Sequence, residues 1–142
     1  MFKREIHYYE TDKMQVVHHS NYIRFLEECR IDFMKQFDLD YREMEEKGII
    51  IPVLSVECDF RVPVRFGETI CIVPRLEKMT GVKFEMSYRI YSKDFSVVHN
   101  VARTSHCFVD SQFAPIRMKK EFPEIYEALK ALEGKTLWEV DM

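Results

Sequence analysis

Residues 20–37 read SNYIRFLEECRIDFMKQF and carry a strong helical signal. The large apolar side chains of this stretch fall three or four positions apart, which places them on one face of a helix. They are Tyr22, Phe25, Leu26, Cys29, Phe33 and Phe37. Ile23, Ile31 and Met34 widen the apolar surface beyond that face. We therefore expect a long helix. The rest of the chain should surround it rather than cover only one of its sides.

Polar residues and a glycine mark the ends of this helix and of a short helix after it. Ser20 or Asn21 would cap the start of the long helix, which is expected to end near Asp38. Asp40 has an acidic residue three positions later, which is the spacing of a capping box and predicts a second, short helix. Gly48 is placed to end that helix.

The rest of the chain has mainly the period-two pattern of β-strands. Strands are expected over Phe2 to Tyr9, Leu54 to Phe60, Ile70 to Leu76, Val82 to Tyr91 and Val97 to Asp110, and an amphipathic helix, interrupted near its start by Pro123, over Lys119 to Leu132. The length of the last strand suggests a bend or a bulge. One long apolar helix and one antiparallel sheet combine naturally when the sheet curls around the helix, so the predicted class is α+β.

The length and composition are those of one soluble globular domain spanning residues 1–142. Hydrophobic residues make up 46% of the chain and charged residues 32%, which excludes a disordered or fibrous protein. The formal net charge of −3 argues against a basic nucleic-acid-binding surface. No apolar run approaches the roughly 18 residues of a membrane span.

The N-terminus and the cysteines bear on location and metal content. The chain begins MFKRE, which has no apolar signal core. The cysteines Cys29, Cys58, Cys71 and Cys107 are widely scattered, with no CxxC pair and no zinc-ligand spacing. We therefore predict reduced core thiols, no metal site and a cytoplasmic location.

Chemistry is suggested by residues 9–22, YETDKMQVVHHSNY, which hold two carboxylates and two histidines directly before the long helix. A helix N-terminus has unpaired N–H groups and about half a positive charge, and it can polarise a carbonyl or stabilise an oxyanion. A nearby carboxylate can act as a base toward water or as a nucleophile. The parts of a hydrolytic site are therefore present in one short segment.

This segment resembles the signature of the hot-dog-fold acyl-CoA thioesterases of the 4-hydroxybenzoyl-CoA thioesterase family, in particular its YbgC-like branch. The positions that fit the signature are Tyr8 or Tyr9, Glu10, Thr11, Asp12, Val16, Val17, His18, His19, Asn21 and Tyr22. Downstream, Phe25, Glu27 and Arg30 match the start of the family's central helix, and Pro63, Arg65, Gly67 and Glu68 match its Pro-x-x-x-Gly-Asp turn. The resemblance extends to about residue 118 and covers most of the chain.

The resemblance implies roles for individual residues. It places the catalytic carboxylate on Asp12 and the backbone N–H that polarises the thioester carbonyl on His19. It puts contacts to substrate or to a partner subunit at His18, Asn21 and Tyr22. Arg65, in a group with Arg61, Lys78 and Lys83, is a candidate for binding the phosphates of coenzyme A.

The resemblance also implies the wider organisation of the protein. The fold would be the hot-dog fold, a five-stranded antiparallel sheet wrapped around a long central helix. The reaction would need no metal or organic cofactor, because coenzyme A is part of the substrate. A homodimer or homotetramer is implied, with the pocket between subunits. The resemblance does not indicate the chain length of the acyl group. It also does not indicate whether coenzyme A or acyl-carrier protein carries that group.

One departure from the family pattern keeps other functions open. The family has glycine before Val16-Val17, where it permits close approach of the backbone or a positive φ, and this chain has Gln15. A non-catalytic acyl-CoA-binding protein is therefore one alternative. A hydratase or dehydratase acting on acyl thioesters is another, and it would use His18 or His19 with Glu27 as acid and base. Asp12 as a plain turn residue is the alternative to catalysis by this carboxylate.

Overall fold

A computed structural model describes residues 1–135 of the chain, with the elements in the following order. They are strand β1 (Phe2–Glu5), a 3-10 turn (Tyr8–Glu10), helices α1 (His19–Gln36) and α2 (Tyr41–Glu46), strands β2 (Val53–Phe60), β3 (Thr69–Met79), β4 (Lys83–Ser92) and β5 (Val98–Cys107), and helices α3 (Met118–Glu121) and α4 (Pro123–Lys130). None of the helices within these residues is long and apolar enough to cross a membrane.

The five strands form one antiparallel sheet in the order β1-β3-β4-β5-β2. Its inner face packs on α1, whose Phe25, Leu26, Cys29 and Met34 have no exposed surface. Burying a large apolar side chain of this kind contributes about 1.5–3 kcal/mol, so α1 is the centre of the core. The predicted α+β class, with a five-stranded antiparallel sheet around a long helix, is confirmed.

The two helices predicted around residues 20–48 are present, with one correction at the start of α1. The N-cap of α1 is His18 rather than Ser20 or Asn21, because the His18 ring nitrogen Nδ1 accepts from the Ser20 N–H at 3.2 Å. Asp40 caps α2 as predicted, and its carboxylate accepts from a backbone N–H two residues on.

Three predicted strand ends are wrong: β1 ends at Glu5 rather than Tyr9, β3 continues to Met79 beyond Leu76, and β5 ends at Cys107 rather than Asp110. Strand β1 ends at Glu5, because the chain turns back at Tyr8–Glu10 and its N–H groups bond locally instead of to the sheet. The predicted interruption of the terminal helix at Pro123 is confirmed, and it divides the helix into α3 and α4, with Pro123 as the first residue of α4. Proline lacks an N–H and fits best at that position.

The long strand β5 contains the bulge that its length predicts. Ile90 of β4 lies opposite Asn100, but Tyr91 lies opposite Val98, so His99 is the extra residue. A bulge of this kind changes the direction of a side chain and often lies near a functional site.

Candidate active site

The loop between Glu10 and His18 is a tight turn closed by its own backbone. The Asp12 N–H donates to the Val16 carbonyl at 2.9 Å, and the Gln15 N–H donates to the Asp12 carbonyl at 2.9 Å. The Asp12 carboxylate accepts from the Met14 N–H at 2.8 Å. Asp12 is therefore a turn residue, and the bond holds its half-buried carboxylate against the loop.

Gln15 adopts the conformation that the family's glycine would supply. Its φ is 63°, which lies in the left-handed region that favours glycine. Its side chain is exposed to solvent. The loop thus keeps its shape without glycine, at a conformational cost of about 1 kcal/mol.

Glu10 anchors the start of the loop through a buried ion pair. Its side chain is 4% exposed, and Arg4 donates to it at 2.6 Å. Arg4 also donates to Glu28 at 2.6 Å and lies 4.3 Å from the centroid of the Phe25 ring. Burial opposes ionisation of Glu10, but the hydrogen bonds from Arg4 and from the His7 N–H outweigh it, so the pKa of Glu10 lies below its usual value.

His18 and Asn21 connect this anchor to the start of α1. The Glu10 carbonyl accepts from the His18 N–H at 3.0 Å and from the Asn21 Nδ2 at 2.8 Å. Asn21 is buried, whereas the His18 ring is exposed and stacks on His19 at 4.2 Å between centroids. Neither side chain lines the cavity described next. Their bonds hold the loop against the helix start, and the predicted contacts to substrate or to a partner subunit stay a prediction.

Asp12 and His19 line one cavity of about 300 Å³ at the N-terminus of α1. His19 is the first residue of the helix, and its backbone N–H finds no acceptor among residues 1–135. The unpaired N–H groups at a helix start carry a partial positive charge that favours an anion or a polarised carbonyl oxygen. Asp12 and the first residue of the helix thus border the same cavity, and a carboxylate and a helix-start N–H are groups that can serve acyl transfer.

Aromatic and basic side chains complete the wall of this cavity. Tyr22 is 4% exposed, and its ring meets the ring of Phe60 edge-on at 5.2 Å. Burial raises the pKa of Tyr22, which keeps its phenol neutral. Arg61 also lines the cavity and pairs with Asp59 at 2.9 Å. The walls are apolar near the helix and cationic at the end of β2.

Arg65 lies in a second, larger cavity of about 810 Å³. The two cavities share Val62 and Pro63 as a common wall. The structure thus separates the four basic residues of the predicted group. Arg61 and Arg65 lie on either side of the shared wall, whereas Lys78 and Lys83 line a small cavity at the other end of the sheet.

Sequence reasoning missed the residues that the fold brings to these cavities from the sheet. Phe60 reaches the first cavity from the end of β2, and His99 reaches the second from β5. Glu68 was matched only as part of a turn, but its carboxylate lies 3.7 Å from the His99 ring. The one available signal was the length of β5, which predicts the bulge at His99 without showing what the side chain faces.

The acid–base pair that a hydratase would need is not formed by the residues predicted for it. Glu27 is exposed on α1. Within residues 1–135 it makes no ion pair with His18 or His19. The His18 ring bonds to Ser20 instead.

Further along α1, four polar side chains form a core cluster, which consists of Arg30, Tyr88, Thr104 and His106. Arg30 donates to the Tyr88 hydroxyl at 3.3 Å, this hydroxyl lies 2.7 Å from the Thr104 hydroxyl, and the Thr104 hydroxyl lies 2.8 Å from His106 Nε2. All four side chains are at most 5% exposed. Burial, and then the charge of Arg30, lower the pKa of His106 to about 3, so its ring is neutral at pH 7.

Comparisons with known proteins agree with this geometry. A model of the thioesterase-like superfamily matches residues 6–131. YneP of Bacillus subtilis, provisionally named an acyl-CoA thioesterase, is 34% identical over 127 residues, which are 87% of this chain and 90% of that protein. The acyl-CoA thioesterase YbgC of Helicobacter pylori is 28% identical over 134 residues, which are 87% of this chain and 97% of that protein.

A solved structure shows the same fold. A DHNA-CoA thioesterase from Staphylococcus aureus superposes with a TM-score of 0.87 at 27% identity, covering 92% of this chain and 87% of that chain. The resemblance to the YbgC-like branch and the hot-dog arrangement are confirmed. The chain belongs to the thioesterase-like superfamily.

Proposed function

We propose that this protein hydrolyses acyl-CoA thioesters to a carboxylic acid and free coenzyme A. The observation that carries the proposal is one cavity lined by both Asp12, which has a carboxylate, and His19, whose backbone N–H finds no acceptor among residues 1–135. The thioesterases YbgC and YneP, which match this chain along most of their length, support the same reaction.

In this reaction the helix N-terminus and the carboxylate act on opposite sides of the thioester carbonyl. The carbonyl oxygen accepts from the His19 N–H, which stabilises the negative charge that develops on it. Asp12 removes a proton from water as the water oxygen attacks the carbonyl carbon. The carbon–sulfur bond then breaks, and the coenzyme A thiolate takes up the proton. Attack by Asp12 itself, through a mixed anhydride that water then hydrolyses, is the nucleophilic form of the same chemistry.

No step of this scheme calls for a metal or an organic cofactor, and coenzyme A enters as part of the substrate. We expect the reaction to take place in the cytoplasm. The four cysteines are free thiols, two of them buried, which suits a reducing compartment. Burial raises the pKa of Cys29, so this thiol is inert and takes no part in the chemistry.

The proposed active form is a homodimer, alone or as half of a homotetramer. Strand β2 is an edge strand with large exposed apolar side chains, including Leu54 at 50% and Phe60 at 54% exposure. An open, apolar strand edge promotes pairing with another strand. A second copy paired along β2 would cover these side chains and close the cavity that Phe60 lines, giving two equivalent sites.

Replacement of the carboxylate tests the reaction. Wild type is expected to release thiol from at least one member of a panel of short, long and aromatic acyl-CoAs. Asp12→Asn is expected to lower kcat/KM about 100- to 10,000-fold, because an amide cannot accept the proton. Asp110→Asn is the matched control, since Asp110 likewise accepts from the backbone N–H two residues on but lines neither cavity.

The outcomes separate the three functions. Full activity of Asp12→Asn would contradict the mechanism. Hydration of an enoyl thioester without thiol release would point to the hydratase. Tight binding of acyl-CoA by wild type without turnover would point to the binding protein.

Disruption of the edge strand tests the dimer. Leu54→Lys places a charge on the exposed β2 edge and is expected to shift the protein from dimer to monomer in light scattering, with most of the activity lost. Lys3→Leu on the opposite edge strand β1 is the control and should leave the dimer intact. A wild-type monomer that is stable and fully active would rule out the shared site.

A further inference from the structure

The larger cavity holds a histidine whose bonding is incomplete. The cavity measures about 810 Å³, and its polar lining includes Arg65, Glu68, Lys93, Asp94 and His99. His99 is 4% exposed and is the extra residue of the bulge in β5. His99 thus lines the cavity from a position where the register of the sheet shifts.

The contacts of the ring fix its tautomer. His99 Nδ1 lies 2.9 Å from the Val62 carbonyl oxygen. A carbonyl oxygen only accepts, so Nδ1 carries the hydrogen of the neutral ring. His99 Nε2 is then an acceptor, and it is buried without any hydrogen-bond partner in residues 1–135.

The group that faces Nε2 cannot satisfy it. The Glu68 carboxylate lies 3.7 Å away, beyond hydrogen-bond distance, and it too is an acceptor. A buried polar atom without a partner costs stability, and two acceptors that face one another add to this cost. A third group that donates a hydrogen to Nε2 would remove the cost.

We propose that this cavity is a substrate subsite in which His99 Nε2 accepts a hydrogen bond from a neutral donor of the acyl thioester, with the Glu68 carboxylate as the second acceptor. This inference rests on the proposed function. Because the two cavities share Val62 and Pro63, one extended thioester lies with its carbonyl at Asp12 and its donor at His99. Two parts of an acyl-CoA supply such a donor, a hydroxyl on the acyl group and an amide N–H on the pantetheine arm.

Matched pairs of substrates and variants test the subsite. One pair is 4-hydroxybenzoyl-CoA and benzoyl-CoA, which differ in the acyl hydroxyl. The other is the S-benzoyl thioester of N-acetylcysteamine and that of ethanethiol, which differ in the amide. In Glu68→Gln the new amide can donate to Nε2, which satisfies the ring without a ligand. Glu68 is 42% exposed, so this variant retains the fold.

The subsite predicts a loss that depends on the donor. Glu68→Gln and His99→Leu are each expected to lower kcat/KM about 10- to 100-fold for the donor-bearing member of one pair and less than about 3-fold for its partner. The pair that shows the difference identifies the source of the donor. The control Asp110→Asn removes a carboxylate that lines neither cavity, and it should preserve the wild-type ratio.

Three outcomes would overturn the subsite. They are equal losses on both members of both pairs, no loss in Glu68→Gln on any substrate, and loss of the wild-type ratio in Asp110→Asn. Failure of the proposed function is distinct, because wild type would then release no thiol at all. In that event the same pairs are compared by calorimetric binding. A donor-dependent affinity that Glu68→Gln abolishes would support the subsite, and its absence would refute it.

Discussion

Two groups of polar side chains lie along helix α1. They differ in whether their hydrogen-bonding groups border a cavity or bond to one another. At the helix start, the site cluster consists of Glu10, Asp12 and His19. Asp12 and His19 line an open cavity, and the His19 N–H finds no acceptor among residues 1–135. Three turns later, the core cluster bonds to itself, from Arg30 through Tyr88 and Thr104 to His106. Both clusters contain nearly inaccessible side chains.

The difference shows that burial of a polar group does not by itself indicate function. In the core cluster the Tyr88 and Thr104 hydroxyls and His106 Nε2 bond to one another, so the cluster links the helix to β4 and β5. In the site cluster the ion pair between Arg4 and Glu10 holds the loop, and the groups that it positions remain available to a ligand. The core cluster should therefore govern stability and the site cluster activity.

Thr104→Val would give the largest effect on stability. The substitution keeps the shape of the side chain but leaves the Tyr88 hydroxyl and His106 Nε2 each without one bond. We expect the free energy of unfolding to fall by about 2–4 kcal/mol, measured by urea denaturation at fixed protein concentration, with kcat/KM within about 3-fold of wild type.

Thr11→Val is the control from the site cluster's loop. The Thr11 hydroxyl makes one exposed bond, to the Tyr8 carbonyl at 2.7 Å, and its loss should cost about 1 kcal/mol or less. Equal losses in Thr104→Val and Thr11→Val would remove the distinction between the clusters.

Acid should weaken the core cluster through His106, whose pKa is lowered to about 3 in the folded protein. The unfolded chain has the ordinary histidine pKa of about 6.5, so below that pH it binds a proton that the folded ring does not. Stability is therefore complete above about pH 6.5 and falls toward pH 3. Between pH 7 and pH 5 this group accounts for a loss of about 2 kcal/mol.

His106→Gln should remove that part of the pH dependence. The measurement is the difference in unfolding free energy between pH 7 and pH 5 for wild type and variant. Between pH 7 and pH 8, where the ring is neutral in both states, the two proteins should show the same dependence. An unchanged loss between pH 7 and pH 5 in the variant would assign the acid sensitivity to other groups.

Gln15→Gly should give the smallest effect and the opposite sign. Glycine adopts the φ of 63° without strain, and the gain is partly offset by its greater freedom in the unfolded chain. We expect stabilisation by about 0.5–1 kcal/mol in thermal unfolding and kcat/KM within about 2-fold of wild type. Gln15→Ala keeps the strain and should not stabilise, so equal gains would show that backbone strain is not the cause.

Particular elements show how far sequence reasoning reached. The three-to-four spacing from Tyr22 to Phe37 predicted α1, and the alternation around Phe84 predicted β4. The placement of Asp12 and His19 around one cavity was also accessible, because only a short turn separates them. The length of β1 and the identity of the N-cap were not, since Glu10 and His18 bond locally in competition with the expected pattern.

The sequence by itself determined the helix, the alternating strands and the segment that carries Asp12 and His19, because each depends on neighbours along the chain. Only the tertiary structure decided that Arg65 lies beyond a wall from Asp12, that His99 faces Glu68 and that Arg30 reaches His106. These relations depend on strand register and on one bulge. A shift of one residue reverses the face of a strand on which a side chain lies, and the period of the sequence does not contain that information.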